Sequence, residues 1–309
     1  MAKLDPKATP TLLSSESLTA NSPDKTLYLN IDLSIQIAKG QAAATALTAA
    51  FSPDPTQLGS TVDVLLWFHG HKGQLNKTTN LKGYSAQQYL SVNEFKFREF
   101  ILSTSKRKFL FVMPTLGDTS GAGVLGEQAQ AEAFLQQVVN GVKANMNKNV
   151  TGIGNIVLAA HSGGGAIMSK MIGYGGMFSK VREIWCIDST YQSGSAFTTW
   201  AKQPGHTLDR LWVFSTGSWD VPDQLKFPKQ PAGPDNPVII PHHRAGTGDN
   251  ARVILNYAKK SKSKNIEVLI KPMPPESNRI NFNYGVAGGH NESVGFYFPQ
   301  LVKSSRTLS

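Results

Sequence analysis

The segment 155–166, NIVLAAHSGGGA, restricts the fold of this chain more than any other. Ile156, Val157, Leu158, Ala159 and Ala160 make an unbroken apolar run, the pattern of a strand buried on both faces within a parallel sheet. The run ends in His161-Ser162-Gly163-Gly164-Gly165, after which Ala166, Ile167, Met168 and Ile172 suit a helix. A strand that turns into a helix over a single serine leaves no room for bulk two residues away on either side, and Ala160 and Gly164 meet that demand. Such a turn strains the backbone at Ser162 and lifts its hydroxyl above the sheet edge. It also sets the serine at a helix N-terminus, where unpaired N–H groups stabilise negative charge. A glycine-rich phosphate-binding turn would need a Lys-Ser or Lys-Thr pair after the glycines, and none follows.

Other segments supply a sheet and its covering helices. Over 27–37 every odd position is Leu or Ile, with Tyr28, Asn30, Asp32, Ser34 and Gln36 between them, which predicts a half-buried antiparallel strand. Residues 1–25 are polar and rich in Pro, Ser and Thr, an arm lying on the surface, and 41–51 is alanine-rich, either a short helix or a loop. Apolar runs predict buried strands at 62–68 and 109–113, and further strands at 183–187, 211–215 and 266–270. Helical spacing predicts helices over 85–103, 124–146, 248–260 and 291–302. Strands alternating with helices mean an α/β fold with a mostly parallel sheet, helices on both faces and an antiparallel N-terminal edge strand. The length, 309 residues, suits one domain over 26–309. Within it, 219–247 is too rich in proline and glycine for a regular element and reads as a long loop or lid near the site.

The turn at Ser162 has the form of a nucleophile elbow, G-x-S-x-G with Ala160 in the first glycine position, and the chain resembles the α/β-hydrolase superfamily. The resemblance runs over about 27–302 and rests on His69-Gly70, on 160–164 and on His290. It implies a serine hydrolase of esterase or lipase type, with Ser162 as nucleophile and His290, in the loop Gly288-Gly289-His290, as base. The acid stays open between Asp220, in a Gly-x-x-Asp turn after one strand, and Asp188, at the end of the strand before it. The N–H groups of Gly163 and of His71, just after Gly70, would form the oxyanion hole. Tyr191, Trp219 and Phe227 could wall an acyl pocket or simply cover the core.

No cofactor and no metal is implied, since a site on His69 and His71 would still need a third ligand. Peptidase, amidase and acyltransferase chemistry would use the same residues, and a non-catalytic binding module could share the fold. Of the remaining histidines, His161 reads as packing around the elbow, His206 as a surface residue, and His242 and His243 as part of the proline-rich loop. Cys186, the one cysteine, sits in an apolar run and reads as a core thiol.

The expected partner is a small-molecule or polymeric ester. The formal charge of +10 adds an anionic surface or polymer, with no motif for specific nucleic-acid recognition. Basic clusters at 106–108 and 259–264 follow predicted helices, where cations suit the C-terminal dipole. The first residues, MAKLDPKATPTLLSSES, lack the apolar core of a Sec signal peptide, and no stretch approaches the ~20 apolar residues of a membrane span. The expectation is a soluble protein, cytoplasmic or exported by another route.

Overall fold

The computed structural model describes residues 3–34, 47–70, 90, 96–104, 108–116, 121–191, 194–206, 209–215, 247–270 and 292–308. Their strands are β1 (Thr11–Glu16), β2 (Lys25–Asn30), β3 (Leu47–Ser52), β4 (Thr61–Phe68), β5 (Phe109–Pro114), β6 (Gly152–His161), β7 (Val181–Ile187), β8 (Arg210–Ser215) and β9 (Ile266–Ile270). They join in one sheet of order β1-β2-β3-β5-β4-β6-β7-β8-β9. The pairs β1–β2, β2–β3 and β3–β5 are antiparallel. Every pair from β5–β4 to β8–β9 is parallel. The helices are α1 (Phe97–Thr104), α2 (Gln128–Asn145), α3 (Gly165–Met171), α4 (Gly194–Lys202), α5 (Thr247–Ser261) and α6 (Glu292–Ser304). This mostly parallel sheet with an antiparallel N-terminal edge and flanking helices is an α/β-hydrolase fold.

Strand pleating divides the core into two layers, one on each face. On one face Val64, Leu66 and Phe68 of β4 and Ile156, Leu158 and Ala160 of β6 pack with Phe134 and Val138 of α2, Met168 of α3 and Phe197 of α4. On the other, Leu65 and Trp67 of β4 and Val157 and Ala159 of β6 pack with Phe97 and Ile101 of α1 and Phe298 and Leu301 of α6. Trp67, Phe97 and Phe298 meet edge to face at centroid distances of 4.4–5.3 Å, the arrangement that ring quadrupoles favour. Both faces are covered, so the central strands are apolar throughout rather than alternating.

Four local expectations change. The segment 11–16 is not a free arm: β1 pairs with β2 and extends the sheet. Residues before it are strapped to α2, with Gln137 Nε2 donating to the Asp5 carbonyl (2.8 Å) and Asn140 Nδ2 to the carbonyls of Pro6 (3.0 Å) and Ala8 (2.9 Å). The alanine-rich stretch holds neither a helix nor a loop at its C-terminal end but strand β3, registered residue by residue between β2 and β5. Small side chains at Ala49 and Ala50 fit a strand buried on both faces, so tertiary pairing overrides the helical propensity of alanine. His206 is buried rather than on the surface. It stacks on Trp200 at 4.5 Å, and its Nδ1 lies 2.6 Å from Asp209 Oδ2. The predicted strand from 27 ends at Asn30, although Ile31 and Leu33 stay buried beyond it.

The C-terminal tail is held from beneath the sheet by a buried carboxylate. Oε1 of Glu183 in β7 accepts from Ser305 Oγ (2.8 Å) and from the N–H groups of Arg306 (2.6 Å) and Thr307 (2.8 Å). Its Oε2 accepts from Trp185 Nε1 at 2.9 Å. A carboxylate removed from water needs such donors, and here they tie the segment after α6 to the middle of the sheet.

Candidate active site

β6 ends at His161, and Ser162 follows in the left-handed region at φ 51°. For an L-residue that conformation costs about 1–2 kcal/mol, so the surroundings must enforce it. They do so by backbone contact. A Cβ on Gly164 would lie 2.3 Å from the Phe68 carbonyl oxygen and 2.8 Å from that of His69. One on Gly165 would lie 1.7 Å from the Ser189 carbonyl oxygen. The elbow is thus wedged between the chain leaving β4 and the chain leaving β7, and glycine is required at both positions. Ala160, in the first small position, is fully buried and paired with Phe68 and Cys186.

Gly70 closes over the serine. A Cβ there would meet Ser162 Cβ at 2.7 Å, Ser162 Oγ at 3.3 Å and His161 Nδ1 at 3.2 Å. Any side chain at 70 would fill the space above the hydroxyl, which gives the glycine of the His69-Gly70 pair a steric reason. His161 is buried against this same glycine, in keeping with its reading as elbow packing. His69 is wholly buried between the β4 and β5 ends: its Nε2 accepts from the Leu116 N–H (2.8 Å), which leaves Nδ1 to donate to the Gly70 carbonyl (2.8 Å). These partners assign a neutral imidazole that fixes the Gly70 peptide. Both nitrogens are engaged within the protein, so His69 is a structural residue rather than a metal ligand. Among the described residues no cluster of three or more His, Cys, Asp or Glu side chains could hold a metal ion.

Asp188 occupies on β7 the position that Ser162 occupies on β6. His161 and Ile187 are registered partners in adjacent parallel strands, so the next residues, Ser162 and Asp188, emerge side by side at the C-terminal sheet edge. Ligands bind at that edge in open α/β sheets. Asp188 is also left-handed (φ 46°), is 1% exposed, and donates its N–H to the Phe214 carbonyl at 2.8 Å. Its Oδ1 accepts from Thr247 Oγ1 at 2.6 Å, and Thr247 Oγ1 in turn accepts from Ser215 Oγ at 2.9 Å. Thr190 Oγ1 donates to the Thr247 carbonyl (2.8 Å), and Asn250 Nδ2 to the Thr190 carbonyl (2.7 Å). Hydrogen bonds thus tie the chain after β7 to the end of β8 and the first turn of α5.

Tyr191 is 44% exposed, yet its phenol is pushed above its usual range, first by desolvation and then by the Asp188 charge. Hydrogen bonding with the Ser162 side chain acts in the opposite direction. The phenol is therefore neutral at ordinary pH. Cys186 is a fully buried core thiol, pushed up chiefly by desolvation and eased by a hydrogen bond with Ser189.

Ser162, Gly163, Gly70, Asp188 and Tyr191 therefore meet at one sheet edge. His290, His71, Asp220, Trp219, Phe227, His242 and His243 lie outside the described residues, as do 219–246 of the expected lid. Sequence reasoning passed over Thr247 and Ser215. The available signal was positional, a serine closing one predicted strand and a threonine directly before a predicted helix.

No protein-family model and no curated protein sequence matches this chain. Among solved structures it is similar to the rice cell wall degrading esterase LipA from Xanthomonas oryzae, at 11% identity and TM-score 0.48 over 97% of this chain and 100% of that one. It is also similar to the feruloyl esterase module from Clostridium thermocellum (13% identity, TM-score 0.46, 100% of this chain and 98% of that one). A third is an S-formylglutathione hydrolase from Staphylococcus aureus (11% identity, TM-score 0.45, 93% and 97%). The fold assignment rests on the strand order and directions.

Proposed function

We propose that the chain is a serine hydrolase that cleaves a carboxylic ester through an acyl-enzyme. The observation that carries this reading is the left-handed Ser162, held at the end of β6 by glycines in backbone contact, with Asp188 beside it at the end of β7. Strain kept at one hydroxyl residue by its surroundings is the mark of a functional turn. Ser162 Oγ attacks the carbonyl carbon and gives its proton to His290. The N–H groups of Gly163 and His71 receive the negative oxygen, and Gly70 leaves room for it. Collapse breaks the ester C–O bond as the imidazolium protonates the departing alcohol. Water, deprotonated by His290, then attacks the acyl carbon and releases Ser162 and a carboxylic acid.

Asp188 is our choice for the acid, ahead of Asp220. Its support is its burial, its hydrogen-bonded carboxylate and its place next to the nucleophile. Tyr191 flanks the acyl group, with its neutral phenol toward Ser162. The test is turnover of p-nitrophenyl butyrate. Ser162→Ala and His290→Ala should each lower kcat by about a thousandfold or more. Asp188→Asn should lower it by at least about a hundredfold and Asp220→Asn by no more than a few fold. The reverse order of the two aspartates would move the acid to Asp220 and leave the serine mechanism standing. Undiminished turnover in Ser162→Ala would remove that mechanism.

A second reading, binding of an anionic polymer, is favoured by a groove of about 690 Å³ between the N-terminal residues and α2, lined by Lys7, Lys143 and Lys148. It predicts binding of polyglutamate that weakens steeply with salt, because exposed charges are screened within ~10 Å at 0.1 M.

A further inference from the structure

Resting on the serine-hydrolase reading with Asp188 as acid, we propose that Thr247 is a positioning residue for that acid, oriented in turn by Ser215. The Asp χ2 torsion is broad and roughly two-fold, so a buried carboxylate turns to suit whichever donors surround it. An acid that must aim one oxygen at an imidazole therefore needs the other oxygen fixed. Thr247 Oγ1 does this from 2.6 Å on Oδ1.

The direction of the chain is set by the carboxylate. A carboxylate oxygen only accepts, so the Thr247 proton goes to Oδ1, and Thr247 Oγ1 in turn accepts from Ser215 Oγ at 2.9 Å. Successive donors polarise one another in a site removed from water, and Asp188, Thr247 and Ser215 are all buried. The hydroxyl chain holds Oδ1 and so fixes the carboxylate plane that the base would meet. The backbone anchor is separate: the Thr247 carbonyl is held by Thr190 Oγ1 at 2.8 Å, and the Thr190 carbonyl by Asn250 Nδ2 at 2.7 Å. Replacing the Thr247 hydroxyl alone leaves the segment in place. The link spans 59 residues of sequence, from Asp188 to Thr247, and joins the start of α5 to the acid.

The experiment measures kcat and KM on p-nitrophenyl butyrate for wild type, Ser162→Ala, Asp188→Asn, Thr247→Val and Thr247→Ser, with a melting temperature for each. Thr247→Val, nearly isosteric, should lower kcat by about ten- to thirtyfold with KM within about twofold, the size expected for one hydrogen bond to a charged group. Thr247→Ser, which restores a hydroxyl at Oγ, should recover most of that loss. A residue that served only to pack would lower the melting temperature and the active fraction, and the serine variant would not restore kcat per folded molecule. Should Thr247→Val fail to fold, Ser215→Ala carries the test: about threefold lower kcat supports the chain of donors, and an unchanged kcat overturns it. If wild type turns over, Ser162→Ala and Asp188→Asn do not, and Thr247→Val matches wild type, the positioning role is wrong while the hydrolase reading holds. If wild type shows no turnover that Ser162→Ala removes, the hydrolase reading falls and takes this one with it.

Discussion

A single methyl group separates a tolerated glycine from an essential one in this chain. Gly165→Ala would put a Cβ 1.7 Å from the Ser189 carbonyl oxygen, and relief would require β7's exit segment to move, with Asp188 next to it. We expect destabilisation of about 3 kcal/mol or more in urea denaturation. Gly205→Ala meets nothing within 4 Å and should change stability by no more than about 0.5 kcal/mol. Equal effects would mean that the elbow is not wedged as described. The demand for small residues around Ser162 was legible from the spacing of Ala160, Ser162 and Gly164, because it follows from the shape of one local turn. The choice between Asp188 and Asp220 was not, since both are aspartates after apolar strands. Our proposal of Asp188 rests on strand register: β6 and β7 are adjacent, and their ends place Ser162 and Asp188 together. Thr247 was invisible for the same reason, being distant in sequence and common in type.

At the level of elements, strands were legible wherever an apolar run stood alone, as in the buried β4, β5, β6, β7 and β8 and the partly exposed edge strand β9. β3 was not, because the alanines that let it fit between β2 and β5 also favour helices. The same difficulty hid the role of Glu183, one acidic residue in an apolar strand, whose partners lie in the last residues of the chain. Glu183→Gln would replace one acceptor oxygen with an NH₂ group facing donors. Whichever way the amide turns, either Trp185 Nε1 or the N–H groups of Arg306 and Thr307 lose their partner. Stability should fall by about 2–4 kcal/mol, and amide exchange at Arg306 and Thr307 should accelerate. Unchanged protection at those two amides would show that the tail is held by something else.

For the molecule as a whole, one sheet covered on both faces fixes what pH does to stability at the alkaline end. Cys186 and Tyr28 are fully buried or nearly so, and both have pKa values pushed up. Desolvation is the main cause for each, reinforced at Tyr28 by its hydrogen bond to Glu16. Folding therefore favours their protonated forms. Their stabilising effect is complete below the unfolded pKa values, about 8.5 for the thiol and 10 for the phenol, and is lost as pH rises beyond them. Stability should fall from about pH 9 upward, each group adding a slope of up to about 1.4 kcal/mol per pH unit. Cys186→Ala should remove the first part of that fall, and an unaltered alkaline limb in the variant would contradict the assignment. No described helix is long and apolar enough to cross a membrane.

The proposed reaction depends on Ser162 acting as a nucleophile. The most direct measurement is the intact mass of the protein after reaction with a fluorophosphonate, followed by peptide mapping. A nucleophilic Ser162 should give one adduct per chain, located on Ser162, absent in Ser162→Ala and formed at least about a hundredfold more slowly in Asp188→Asn. A folded wild-type protein that acquires no adduct, or one that carries it on another residue, would contradict it.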